Sequence, residues 1–212
     1  MKIRNVISAI FGCLAICAAG AAIFLSLTSL NAEPVLTSNP DEAEARVQEF
    51  MEAVCAADYQ KVSACISGNP SLGMERDAAD EVGVLLWNAY TDSLSYTVVG
   101  ECYATDDGLA QQVQLTGMDI TSVTAVLKDR SQAMLEQRVQ EAEDATDIYD
   151  ENNEYREDFV MGVLYDAASA ALKSDAKEMT MEFTLNLVYQ DDQWMIVVDN
   201  AVLDAISGGI LY

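Results

Sequence analysis

The side chains with which this chain could do chemistry are five cysteines, 35 aspartates and glutamates and a set of aromatic residues, and histidine is absent altogether. Without imidazole, Ser-His-Asp and Cys-His nucleophile systems, His-ligated zinc and His-based proton transfer are closed to the chain on its own. Carboxylate, tyrosine, lysine and cysteine chemistry remain. No nucleotide loop, nucleophile elbow or metalloprotease motif is present, so no catalytic, cofactor-binding or metal-ligating residue is assigned.

The carboxylate pairs Asp106-Asp107 and Asp191-Asp192 both fall where a hairpin must turn, and Asp is favoured there for local backbone hydrogen bonding. Asp150-Glu151-Asn152-Asn153-Glu154 has the look of a calcium loop, yet it lacks glycine at the sixth position and has Met161 at the twelfth, where a bidentate glutamate is needed. Cys55, Cys65 and Cys102 lie outside the N-terminal apolar run. A bridge between Cys55 and Cys65 across a helix corner is open to an exported domain. The odd number of cysteines favours buried free thiols instead. Trp87, Tyr90, Tyr96, Tyr103, Phe183 and Trp194 are expected to cluster where a helix meets a sheet. Trp87, Tyr90, Tyr96, Phe183 and Trp194 are the candidate lining of a ligand pocket, although aromatic stripes are more commonly core.

The elements that must position these groups follow from periodicity. Met179, Met181, Phe183, Leu185 and Leu187 alternate with Thr180, Glu182, Thr184 and Asn186, the period-2 signature of a half-buried strand; Gln190 to Gln193 turns and Trp194 to Val198 returns. A second hairpin spans Ser93–Ala104 and Leu109–Met118 around Thr105-Asp106-Asp107-Gly108. Asn39-Pro40-Asp41-Glu42 opens a helix with Asn as N-cap, Pro at the first position and acids in the first turn. A short helix from Asp58-Tyr59 follows, then one from about Ala78 to Thr91 with Val82, Leu85, Leu86, Ala89 and Tyr90 as its stripe and Trp87 beside it. Between the hairpins, at about 120–176, two helices flank the segment Glu141 to Asp158, whose nine carboxylates and one arginine mark it as solvated.

Lys2 and Arg4 precede an uncharged, mostly apolar run from Val6 to Leu30, with Glu33 the next charge. That run is long enough to span a bilayer, and the flanking charges place the N-terminus in the cytoplasm and the remainder outside. Leu30-Asn31-Ala32 loosely fits a signal-peptidase site and Ile10-Phe11-Gly12-Cys13 a lipidation box, so a retained anchor, a cleaved signal and a lipoprotein stay open. The organisation expected is a cytoplasmic N-terminus and anchor or signal over 1–32, a stalk over 33–39 and one extracytoplasmic domain over 40–212. The net charge of −24 disfavours nucleic acid and anionic lipid surfaces and leaves a basic protein, or a small apolar ligand, as the partner.

Helical pieces, then a curved antiparallel sheet, with Ala57-Asp58-Tyr59 after the first helix and Asp191-Asp192-Gln193-Trp194-Met195-Ile196 in the last hairpin, resemble the NTF2-like (cystatin-like α+β cone) superfamily. More narrowly, the chain is similar to its membrane-anchored or lipoprotein-type members of unknown function from Gram-positive bacteria. The resemblance covers about Asn39 to Asp199 and implies an α+β fold of N-terminal helices on a curved sheet, here with a helical insertion at about 120–176. It implies a binding or interaction module without catalysis of its own. The alternatives are a small-molecule enzyme of the isomerase or dehydratase type and a structural or assembly subunit.

Overall fold

The computed structural model describes residues 39–70, 72 and 77–208. It is an α+β arrangement of six helices and one four-stranded antiparallel sheet, ordered β1-β2-β3-β4, among the described residues. No helix of the described residues is long and apolar enough to cross a membrane, and the apolar run at 6–30 lies outside them. Where periodicity predicts one domain over 40–212, contacts divide the chain into two compact units. A sheet unit takes the described parts of 17–75, 91–117 and 179–212, and a helical unit takes those of 76–90 and 118–178. The second unit therefore unites the expected insertion with most of the preceding helix.

In the sheet unit, α1 (Pro40–Cys55) begins as its sequence dictates: the Asn39 side chain accepts from the Asp41 N–H, with Pro40 at the first position and Asp41 and Glu42 in the first turn. It buries Ala43, Val47, Phe50, Met51, Ala53 and Val54 and lies against β1 and β4. The short α2 (Tyr59–Ala64) is capped by Asp58, whose carboxylate accepts from the Lys61 N–H.

The strands are β1 (Ser95–Ala104), β2 (Leu109–Asp119), β3 (Lys177–Gln190) and β4 (Gln193–Val197). Register sets Tyr96 opposite Leu115, Val98 opposite Val113 and Leu187 opposite Ile196. Directly paired residues share a face, so the apolar alternation of β3 continues across the sheet. Phe183, Leu185 and Leu187 are buried while Glu182 and Asn186 are exposed.

The turn between β3 and β4 holds both Asp191 and Asp192 at positive φ, 52° and 61°. That is the handedness a two-residue hairpin needs to match strand twist, and Asp tolerates it better than most residues. After β4, Asp199 accepts from the Val202 N–H to start α6 (Asn200–Ser207). In β1 the pairing shifts between Val99 and Tyr103 around Gly100, which sits at φ 69°. The buried Gln111 side chain donates to the carbonyls of Val99 at 2.9 Å and Gly100 at 3.4 Å at this irregularity.

The helical unit contains most of α3 (Glu81–Asp92), with α4 (Ile120–Glu141) and α5 (Glu157–Ser174). The first of these starts later than its apolar spacing predicts, because Asp80 accepts from the Gly83 N–H at 2.9 Å and so closes the first turn. Its buried apolar side chains are Val82, Leu86, Trp87 and Tyr90, with Leu85 and Ala89 half-buried, so Trp87 belongs to the stripe rather than beside it. Asp119 caps α4 through the Thr121 and Ser122 N–H groups. The Lys177 N–H donates to Ser122 Oγ, tying the end of the insertion back to its beginning. Helices α4 and α5 pack together, with Leu135 and Val163 at the centre of a cluster that takes in Met134, Tyr155 and Phe159. Arg138 pairs with Asp166 and Arg130 with Asp175 across that contact.

Candidate functional site

The candidate thiols do not meet. Cys55, Cys65 and Cys102 are all free, which corrects the bridge open to Cys55 and Cys65. The reason lies in helix geometry. Arg46 Nη1 reaches Cys65 Sγ at 3.7 Å, and Cys55 stands nine residues further along α1, on the order of 180° around the axis at 3.6 residues per turn. Cys65 thus sits on the flank of Arg46 and Glu49, while Cys55 is close enough to Tyr96 to act on its phenol electrostatically. Burial pushes all three thiols up from their ordinary value, with Glu49 adding to the effect at Cys65 and Glu44 at Cys102. They are therefore thiols rather than thiolates at neutral pH, the less nucleophilic state.

The five candidate pocket-lining aromatics are divided between the two units. Trp87 and Tyr90 belong to the helical unit, their rings 5.7 Å apart and tilted. Tyr96, Phe183 and Trp194 belong to the sheet unit. Trp194 is buried, edge-on to Tyr189 at 5.3 Å, and its indole N–H has no hydrogen-bond partner among the described residues. Phe183 is buried, Tyr96 half-buried, and Tyr103 is 51% exposed, outside any core.

What the structure does bring together is the acidic segment. Asp144 accepts from the Thr146 N–H to start a single 3-10 turn at Ala145–Asp147. Tyr149 and Tyr155 then bridge antiparallel, closing the loop Asp150 to Glu154 with Asn153 at φ 61°. Inside that loop the Asp150 carboxylate accepts from the backbone N–H groups of Asn152 and Glu154, both at 2.9 Å. The carboxylate that would have opened a calcium loop is turned onto its own backbone instead, and no group of three or more metal-ligating side chains is assembled among the described residues. Arg156 follows, donating from Nε at 3.1 Å and Nη2 at 3.0 Å to the two oxygens of Asp158.

Of these residues Asp150, Tyr155, Arg156 and Asp158 line a groove of about 850 Å³ in the helical unit, in which Glu81, Asp150, Glu157 and Asp158 supply carboxylates and Tyr155 and Met161 supply apolar surface. Two of its carboxylates and its phenol are held away from titration near neutrality. Backbone donors from Glu154 and Asn152 hold Asp150 below the usual carboxylate range, and the Arg156 guanidinium does the same for Asp158. The Tyr155 ring, 5.1 Å from Tyr149 and 6.3 Å from Phe159, has its phenol pushed up to about 12 by burial and by its hydrogen bond to Tyr149. None of these three groups exchanges a proton near neutrality. What the groove can do is bind: fixed anions beside an aromatic face attract a cation.

A titration tests this arrangement. A phenol raised in the folded state stabilises the fold fully below its unfolded value near 10, and that contribution is lost as pH climbs through the folded value. Ultraviolet absorbance should therefore show a phenol ionising at about 12, and Tyr155→Phe should remove that last step. If the late step survives in the variant, the Tyr149–Tyr155 contact is not its cause.

No protein-family model matches this chain. No curated protein and no solved structure matches it either. Its function has to be argued from its own residues. The groove was half-legible in sequence, because the run of carboxylates from Glu141 to Asp158 announces an anionic surface. The contribution of Glu81 from another helix leaves no local signal.

Proposed function

We propose that this protein is an interaction module displayed outside the cytoplasm, held at the membrane by its 6–30 segment and attracting a basic partner without catalysis of its own. The observation that carries the reading is the groove in the helical unit. Four carboxylates line it, and its one arginine is already paired twice with Asp158. The excess of 35 acidic over 11 basic residues extends that field over the whole chain. The basic residues before the 6–30 run and the acidic ones after it support the topology. An NTF2-like cone is the fold we propose for the sheet unit, supported by the order of helices and hairpins and by α1 lying against both β1 and β4.

The test is a titration of the full chain with a lysine-rich peptide at low and high salt, repeated after Glu81→Gln, Asp150→Asn, Glu157→Gln and Asp158→Asn together. Affinity should fall as salt rises, and should fall at any given salt in the fourfold variant. Equal binding under every condition would mean that the segment only keeps the protein soluble. Protease added to intact cells with a permeabilised wall should digest the chain after Glu33, and protection until lysis would overturn the topology.

A further inference from the structure

The sheet has two edges, and they are finished differently. Along β4 the segment that follows α2 is bonded to the strand: the Ser67 N–H donates to the Ile196 carbonyl and the Ile196 N–H to the Cys65 carbonyl, both at 2.9 Å. On β1 the C-terminal half is also closed. There the pairing shifts, Gly100 bends the strand, Glu101 adds a charge, and the Cys102 N–H donates to Glu44 Oε1 at 3.3 Å. Bulges and charges are the devices by which an edge strand avoids recruiting another chain, and a capped amide withdraws one more donor.

Ser95–Val99 carries none of them. Its residues, Ser-Tyr-Thr-Val-Val, include no charge, proline or glycine and favour strand. They pair in unbroken register with Gln112 to Thr116, and none is buried. Every second residue of an antiparallel edge strand turns its N–H and C=O away from its neighbour. Among the described residues no partner beyond β2 bonds the backbone of Ser95 to Val98.

What such an edge would accept is narrowed by charge. Glu52 lies close enough to Tyr96 to disfavour its phenolate, and Glu44 reaches Cys102, so the flank of α1 beside β1 is acidic. With Glu101 these make three carboxylates beside the strand, and none is in an ion pair with a described residue. We infer that Ser95–Val99 is a strand-addition site for an extended, lysine- or arginine-bearing segment of another protein. Backbone hydrogen bonds would supply the pairing, and Glu44, Glu52 and Glu101 the preference for basic side chains. A second copy of this chain is disfavoured as occupant, because pairing would bring the same carboxylates together on molecules that each carry −24. The charge preference rests on the basic-partner reading above; the backbone pairing does not.

The probe is a peptide of about nine residues, an ordinary strand length, alternating lysine and valine, with a twin of equal charge N-methylated at every residue so that neither of its edges can donate to a ladder. Both are added to the full chain in detergent micelles, and amide hydrogen exchange is followed. The first peptide should slow exchange across Ser95–Val99 by roughly tenfold, the scale of one or two net hydrogen bonds, and the twin should not. Thr97→Lys should weaken binding by roughly tenfold without moving the thermal midpoint, through like-charge repulsion. Equal protection by the twin, no protection at the edge with either peptide, or unchanged binding by Thr97→Lys would each overturn strand addition. Binding that stays salt-dependent and is lost only on neutralising the four groove carboxylates would do so while leaving the basic-partner reading intact. Dimerisation through this edge would overturn the choice of occupant.

Discussion

Replacing Phe183 by alanine should destabilise the protein by about 3 to 5 kcal/mol, the range for deleting a buried aromatic side chain and leaving its cavity. Phe183 is 9% exposed and lies on the apolar face of β3 with Leu185 and Leu187. Its sequence neighbour Glu182 is on the other face, exposed, where it accepts from Gln114 Nε2 at 3.2 Å on β2. An exposed cross-strand bond of that kind contributes little, so Glu182→Ala should stay within about 0.5 kcal/mol. Urea unfolding of the two variants measures the contrast directly. Comparable losses would place the strand in the wrong register, because a slip of one residue exchanges the two faces of β3 completely.

The second large effect is expected at Gly108, which closes the β1–β2 turn with its carbonyl accepting from the Thr105 N–H at 3.0 Å. A Cβ built there would stand 2.0 Å from the Leu187 carbonyl oxygen on β3. The obstruction is backbone, which cannot swing aside as a long side chain would, so the two strands would have to part locally. Gly108→Ala should therefore cost about 2 to 4 kcal/mol, the scale of strain and overpacking in a folded structure. It should also speed amide exchange at Leu187 and Val188, while Asp107→Ala in the same turn should change little. A Gly108→Ala protein as stable as its parent would show that the approach of β2 to β3 is looser than the structure has it.

Gly108 also marks where sequence stops being informative. As a turn residue after Asp106-Asp107 it is legible from its neighbours alone; its near-contact with a strand some eighty positions away is not. Local grammar determined a good deal. Asn39-Pro40, Asp58, Asp119 and Asp199 each start a helix because their side chains accept from backbone N–H groups within three residues. The alternation of β3 and the Asp191-Asp192 turn are likewise settled over a few positions. Even the lack of histidine chemistry is a property of composition. Partnerships over long separations needed the fold. Only the tertiary structure decided that Cys55 and Cys65 stand on different flanks of α1, and that the aromatics expected together divide between two units. It alone brought Glu81 into the groove and left Ser95–Val99 without the closure that the rest of β1 received. The physical reason is the same in each case: caps and turns are satisfied by backbone groups a few bonds away, whereas side chains distant in sequence meet only where packing and strand register bring them.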